Sequence, residues 1–289
     1  MSAPDEAIEQ PRREFPAAFR RLLPPGDPAS AAEIVDGLDL RARASDGRRP
    51  YVVLNMASTV DGRASIGGRS GAIGNRADRE LFHALRASVD AVMAGGATVR
   101  VERYGRIIPQ APSRRRRLDR GLSEEPLACI VSGRLALAPD IPLLQEPSAR
   151  VVIVTPSSAS LPATAAHVEY VRAARDGLLD LPRATAELSE RFGVRTLLCE
   201  GGPHLNSELL LAGLVDELFL SLSPKLAGGE DATGEALRIL AGAELAEPVE
   251  LELLGALESG GHLFLRYGVR ASAPERVSRE TIAKSSLAS

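Results

Sequence analysis

The sequence predicts an α/β protein of three layers, αβα, with a mostly parallel central sheet and an antiparallel C-terminal hairpin. Three observations carry this reading. Short runs such as "YVVLNMA" (51–57) and "RVVIVT" (150–155) are continuously apolar, the pattern of strands covered on both faces. Segments with apolar residues at helical spacing lie between such runs. The last two apolar segments, 249–259 and 262–269, are separated only by Gly260 and Gly261, a hairpin signal.

In chain order, residues 1–49 read as an N-terminal arm, loosely ordered at its start, with one short helix over 31–40. Residues 50–270 form one domain, and the polar stretch 271–289 is a flexible tail. The strand at 51–57 enters a Gly/Ser-rich loop, 58–74. A helix follows at 75–88, with Asn75 as its N-cap and Leu81, Phe82 and Leu85 at helical spacing. A buried strand at 89–96 runs into a short helical start, "ATVRVE". Residues 104–125 read as a polar loop, and the run Arg114 to Arg117 as a solvated part of it. Strands are expected at 127–132, 150–155 and 167–172, and a helix at 181–193 that stops at Gly193. The strand "RTLLCE" turns through Gly201 and Gly202 into the helix "PHLNSELLLAG", and "VDELFLSLSP" (215–224) supplies another strand.

Composition narrows the function. In 289 residues, 44% hydrophobic and 25% charged side chains are ordinary for a globular chain with a well-buried core. A net charge of −3 gives no general attraction to nucleic acid or to an anionic membrane. With 3% aromatic residues and no Trp, base-stacking platforms are not expected. Cys129 and Cys199 each lie in an apolar run and read as buried thiols, outside any disulfide framework or zinc site. No stretch is apolar over the ~18 residues that a membrane span needs. The polar N-terminus does not read as a signal peptide, so a cytoplasmic protein is expected.

Three strand-to-glycine junctions are the candidate site: Ser58–Gly74, Ala94–Glu102 and Cys199–Glu208. In open α/β sheets ligands bind beyond the carboxyl ends of the strands. Glycines there let a ligand approach the backbone, and the free N–H groups of the next helix attract phosphate. Pro203 suits a first helical turn. A single Gly-Gly turn is more often a plain connection, but three such junctions in one chain shift the balance towards a ligand. None matches the dinucleotide pattern G-x-G-x-x-G, and no P-loop is present. Glu200 would be costly at the end of a buried strand unless paired or facing a cleft. Asp61 equally suits a turn with Gly62. His83 and His204 read as packing or surface residues, and His262 has no obvious partner. No nucleophile–base order or metal-ligand spacing is visible, so no metal is expected. A hydride transfer, whose chemistry a cofactor carries, fits best.

"STVDGR", "GGATVRVE" and "LLCEGGPHLNSELL", in this order, resemble the reductase domain of bacterial riboflavin biosynthesis, which has the dihydrofolate-reductase-like fold. The similarity covers about residues 50–270 and is strongest to a stand-alone actinobacterial branch, pyrimidine-reductase-like. The zinc deaminase domain that usually accompanies it is absent from this sequence. The resemblance implies NADPH as cofactor, a homodimer, and reduction of a pyrimidine such as 5-amino-6-(5-phosphoribosylamino)uracil. By the same resemblance Ser58, Thr98, Glu102, Ser132 and the run Gly201, Gly202, Pro203, His204, Leu205, Asn206 and Ser207 contact NADPH. Asp61 and Glu200 are the catalytic candidates, and Ser70 and Arg86 face the substrate. Arg134, in "VSGR", is expected at the cofactor 2′-phosphate, which suits a guanidinium. One departure stands out: after Thr98-Val99-Arg100 the family pattern D-D-P-x-L-T is replaced by "VERYGRIIPQ". Arg106, within that stretch, is the candidate for a substrate phosphate. The departure opens two alternatives, a pterin or dihydrofolate substrate and a catalytically silent NADPH-binding sensor.

Overall fold

The computed structural model describes residues 17–44, 47–229, 237–242, 245 and 247–270. The tail expected at 271–289 lies outside them. The elements in chain order are β1 (Phe19–Leu23), β2 (Pro25–Ala29), α1 (Ala31–Asp36), α2 (Leu40–Arg43), β3 (Tyr51–Thr59), α3 (Arg76–Ser88), β4 (Ala91–Gly95), α4 (Gly96–Val101) and α5 (Ala111–Asp119). They continue with β5 (Leu127–Val131), β6 (Arg150–Thr155), β7 (His167–Arg172), β8 (Ala174–Arg175), β9 (Leu178–Leu179) and α6 (Leu181–Phe192). The last are β10 (Thr196–Cys199), α7 (Pro203–Leu211), β11 (Glu217–Ser223), β12 (Leu251–Ser259) and β13 (His262–Val269).

Eleven strands form one sheet in the order β2-β1-β12-β13-β11-β3-β10-β4-β5-β6-β7. From β11 to β7 all neighbours are parallel, whereas β13, β12, β1 and β2 are antiparallel additions. The continuous apolar runs are the parallel strands, because helices cover both of their faces. α1 and α3 pack with Val53, Leu198 and Phe219 on one face, and α6 and α7 with Val52, Leu197 and Cys199 on the other. Each side chain fully buried this way contributes roughly 1.5–3 kcal/mol. Both cysteines are free and buried, and burial pushes each thiol up to about 12.

Two expectations change. The sheet continues past the hairpin into the stretch read as an arm: β1 pairs with β12, and β2 closes the edge. Pro25 and Pro28 lie in β2, and an edge strand tolerates their missing N–H groups. Residues 104–125 are not a solvated loop throughout. They contain α5, and its Arg117 is fully buried. The Arg117 guanidinium donates to the carbonyls of Arg86, Ala87 and Val89 (Nη1, 3.3, 3.2 and 2.7 Å) and of Ser123 (Nε, 2.9 Å). It thus satisfies orphan carbonyls at the C-terminus of α3.

Candidate active site

The three glycine junctions meet above the carboxyl ends of β3, β4 and β10. Gly201 and Gly202 leave β10, and the Gly95 N–H donates to the Gly201 carbonyl at 2.6 Å, tying two junctions together. A Cβ at Gly95 would lie 3.3 Å from the Gly202 nitrogen, and one at Gly202 would lie 2.8 Å from Thr98 Oγ1. Gly201 has φ +87°, a conformation other residues rarely adopt. The floor is therefore bare backbone, edged by Thr98 and Ser132. Their hydroxyls make no hydrogen bond among the described residues.

Glu200 directly follows β10, and its carboxylate is paired rather than free. Arg86, from the last turns of α3, clamps it with both arms: Nε to Oε1 and Nη2 to Oε2, each at 2.7 Å. The side chains are 9% and 3% exposed. Tyr104 donates its hydroxyl to Oε2 at 2.5 Å, and Arg86 Nη1 donates to the Ile107 carbonyl at 3.2 Å. Burial opposes the charge on Arg86, but Glu200 and Tyr104 outweigh it and hold its pKa up. Burial, reinforced by the Glu200 charge, holds Tyr104 well above its ordinary range. The guanidinium also lies 4.1 Å from the Phe82 ring centroid. Arg86 and Glu200 are therefore one closed unit rather than two separate substrate contacts, and one lone pair of Oε1 is left to accept a donor.

Asp61 is also engaged. Its carboxylate accepts from the Thr59 hydroxyl and from the N–H groups of Ala227 and Gly228, at 3.0 and 2.6 Å. The Thr59 bond first, then the Gly228 N–H, hold it below the usual carboxylate range. Arg63 donates to the carbonyls of Gly228 and Gly229, so the 59–63 turn clamps the loop after β11. This is a structural role for the carboxylate that was expected beside the reaction.

Other expected contacts divide in two. Ser70 and Glu102 come together, with the Ser70 N–H and hydroxyl both donating to Glu102 Oε1 at 2.9 Å. Arg134 is exposed on the loop after β5 with no partner among the described residues. His204 is exposed on α7. The side chains of Leu205, Asn206 and Ser207, by contrast, are buried. Asn206 donates to the Ile239 carbonyl at 2.8 Å and Ser207 to that of Ala241 at 2.8 Å, so both hold the 239–241 backbone. The Ser58 hydroxyl is spent on the Thr59 carbonyl, 2.8 Å away.

Arg106 requires a correction. It binds Glu125 at 2.5 Å and Glu124 at 3.8 Å and lines a cavity of ≈ 290 Å³ at the amino ends of β4, β5 and β6. That end is opposite the glycine junctions, and its charged lining of Arg106, Arg150, Glu124 and Glu125 is already paired in part. Two residues escaped the sequence reading. Tyr104 lies within the segment that departs from the family pattern. His83, read as packing, is half-buried beside Phe82, and its Nδ1 is buried without a partner. Its position three residues before Arg86 on α3 was the available signal. Among the described residues no His/Cys/Asp/Glu group is arranged to hold a metal, and no helix is long and apolar enough to cross a membrane.

Bare backbone at the carboxyl ends of a parallel sheet, beside a buried ion pair, is the setting in which α/β proteins bind nucleotides. The particular family follows from comparison. The family described as the RibD C-terminal domain matches residues 50–261, and the chain belongs to it. A 2,5-diamino-6-ribosylamino-4(3H)-pyrimidinone 5′-phosphate reductase from Methanothermobacter thermautotrophicus is 29% identical over 77% of this chain and 99% of the relative. An identically named protein from Archaeoglobus fulgidus is 30% identical over 64% of this chain and 84% of its own length. Among solved structures, a pyrimidine reductase-like protein from Corynebacterium diphtheriae has a similar fold. Its TM-score is 0.69 at 22% identity, covering 84% of this chain and 100% of that one. The chain is thus a reductase of the riboflavin-biosynthesis type, and a nicotinamide cofactor goes with that class.

Proposed function

We propose that the chain reduces the ribosylamino group of a pyrimidine 5′-phosphate with NADPH as hydride donor. The diaminopyrimidinone of its named relatives is the first substrate and the corresponding aminouracil the second. The observation that carries this is the meeting of three glycine junctions over one buried Arg86–Glu200–Tyr104 floor in a chain of this family.

The residues present fit a dinucleotide. Gly95, Gly201 and Gly202 leave backbone without side chains, the first turn of α7 offers unpaired N–H groups, and the hydroxyls of Thr98 and Ser132 are unused. Those groups would hold the pyrophosphate, and Arg134 would meet the 2′-phosphate that separates NADPH from NADH. When bound, the reduced nicotinamide supplies the hydride. The chain's part is to orient the substrate. Glu200 is fixed by three hydrogen bonds, so it cannot swing, and its remaining lone pair accepts an N–H or O–H of the substrate at a fixed place.

A second copy would cover the outer face of the antiparallel strands. Directly paired residues share a face, which groups Leu251 with Val269, Leu253 with Tyr267 and Leu218, and Leu265 with Leu220. Leu251 and Leu253 are 40% and 43% exposed on it. We therefore expect a homodimer through β11, β12 and β13.

Thermal melts test the cofactor assignment. NADPH should raise the Tm more than NADH at equal concentration, because a ligand that binds only the folded state stabilises it. Equal shifts, or no shift with either, contradict it. Dihydrofolate supplied in place of the pyrimidine is expected not to be reduced, and its turnover would favour the folate alternative.

A further inference from the structure

The anionic end of the substrate needs a cation other than Arg134, which is assigned to the cofactor. Arg86 is neutralised by Glu200, and Arg106 is held by Glu124 and Glu125 at the far end of the sheet. Residues 79, 83 and 86 of α3 lie at helical spacing and form one stripe. Its foot is the Arg86–Glu200 pair. One turn above, His83 packs edge-on against Phe82 (5.5 Å), and its Nδ1 is buried with no hydrogen-bond partner. Such a nitrogen is costly unless a ligand completes it. Another turn up, Arg79 is exposed, and no described residue pairs with it. The nearby acids of α3 are engaged elsewhere. Glu80 accepts from Arg76 and from the Ala17 N–H, and Asp78 is tucked so closely over Gly74 that a Cβ there would collide with it.

We propose that Arg79 and His83 form the seat for the phosphate monoester of the substrate, with Arg79 binding it at the cleft mouth and His83 donating from below. Seven helical steps separate Arg79 from Arg86, about 10 Å along the axis. That leaves room for a pentose between a phosphate at the top and a heterocycle over Glu200. The inference rests on the pyrimidine-phosphate reading and deepens it. It differs from the sequence expectation, which placed Arg106 at the phosphate.

The test is calorimetric titration of the full-length chain with ribose 5-phosphate and, separately, with ribose. The wild type should bind ribose 5-phosphate at least about tenfold more tightly than ribose. Arg79→Ala and His83→Gln should each weaken ribose 5-phosphate by about tenfold, and Arg79→Lys by less, since it keeps the charge but loses the fork. Arg79 is exposed, so its replacement leaves folding intact, and an unchanged Tm confirms this. Arg106→Ala should bind as the wild type does. Wild-type affinity for ribose 5-phosphate in Arg79→Ala and His83→Gln, or equal binding of ribose and its phosphate by the wild type, overturns the seat. Failure of the reductase reading shows separately, as no NADPH oxidation by the wild type with either pyrimidine phosphate.

Discussion

Glu200 shows how a charge is kept at the end of a buried strand. Arg86 supplies two donors in one plane and Tyr104 a third, which makes the desolvated carboxylate tolerable. Removing either partner has a different cost. Arg86→Met strands a buried carboxylate and should destabilise the fold by ~3–5 kcal/mol. Tyr104→Phe removes one hydrogen bond to a charged group and should cost ~1.5–3 kcal/mol. Denaturant unfolding of both variants checks the order, and equal losses would contradict it. His83 makes a pH prediction. Burial first, then the Arg86 charge, hold its pKa below the ordinary value. The unfolded chain therefore takes up this proton first, near pH ~6.5, and stability is lost as pH falls from there through the lower folded value. Between pH 7.5 and 5.5 (chosen to bracket that ~6.5 value), the wild type should lose more unfolding free energy than His83→Gln. Parallel losses would show that His83 is not desolvated. Neither Tyr104 nor His83 was legible as a site residue. Nothing local marks that the one tyrosine of the 104–125 stretch turns inward, and a histidine on an amphipathic helix looks like a packing or surface residue until its neighbours are known.

At the scale of elements, the glycine junctions were legible because they combine a strand period, a turn residue and a helix start in one short stretch. The Arg114–Arg117 run was not. Its four residues are identical in type, and only the phase of α5 selects Arg117 for burial under α3. Burial lowers its pKa to about 10, and its bonds to the Arg86 and Ala87 carbonyls of α3 and to that of Val89 just beyond anchor the turn that carries Arg86. Arg117→Ala should therefore lower stability by roughly 2–4 kcal/mol, through lost charged hydrogen bonds and a cavity. Arg116→Ala, on the exposed side of α5, should stay within about 0.5 kcal/mol of the wild type. Paired melts measure the contrast, and similar losses from the two variants would refute it. The strands β1 and β2 escaped the sequence reading for another reason. "FRRLLPPGDPA" is broken by prolines, and only its place at the sheet edge makes it a strand.

For the whole molecule, the parallel sheet followed from the alternation of buried strands and amphipathic helices. The distribution of cations did not, because pairing depends on distant neighbours: Arg106 is captured by Glu125, nineteen positions away. The exposed leucines of β12 make a prediction at this scale. Light scattering should give twice the 30.6 kDa chain mass, and Leu251→Glu with Leu253→Glu should give the monomer. A wild-type monomer would refute the dimer. NADPH-dependent reduction over the glycine floor and the Glu200 pair is measured by spectrophotometric NADPH oxidation with the diaminopyrimidinone 5′-phosphate. The wild type should turn over, and Gly202→Ala, whose new methyl would meet Thr98, should lose about a hundredfold or more in kcat/KM. No NADPH oxidation with either pyrimidine phosphate, or wild-type turnover by folded Gly202→Ala, would contradict it.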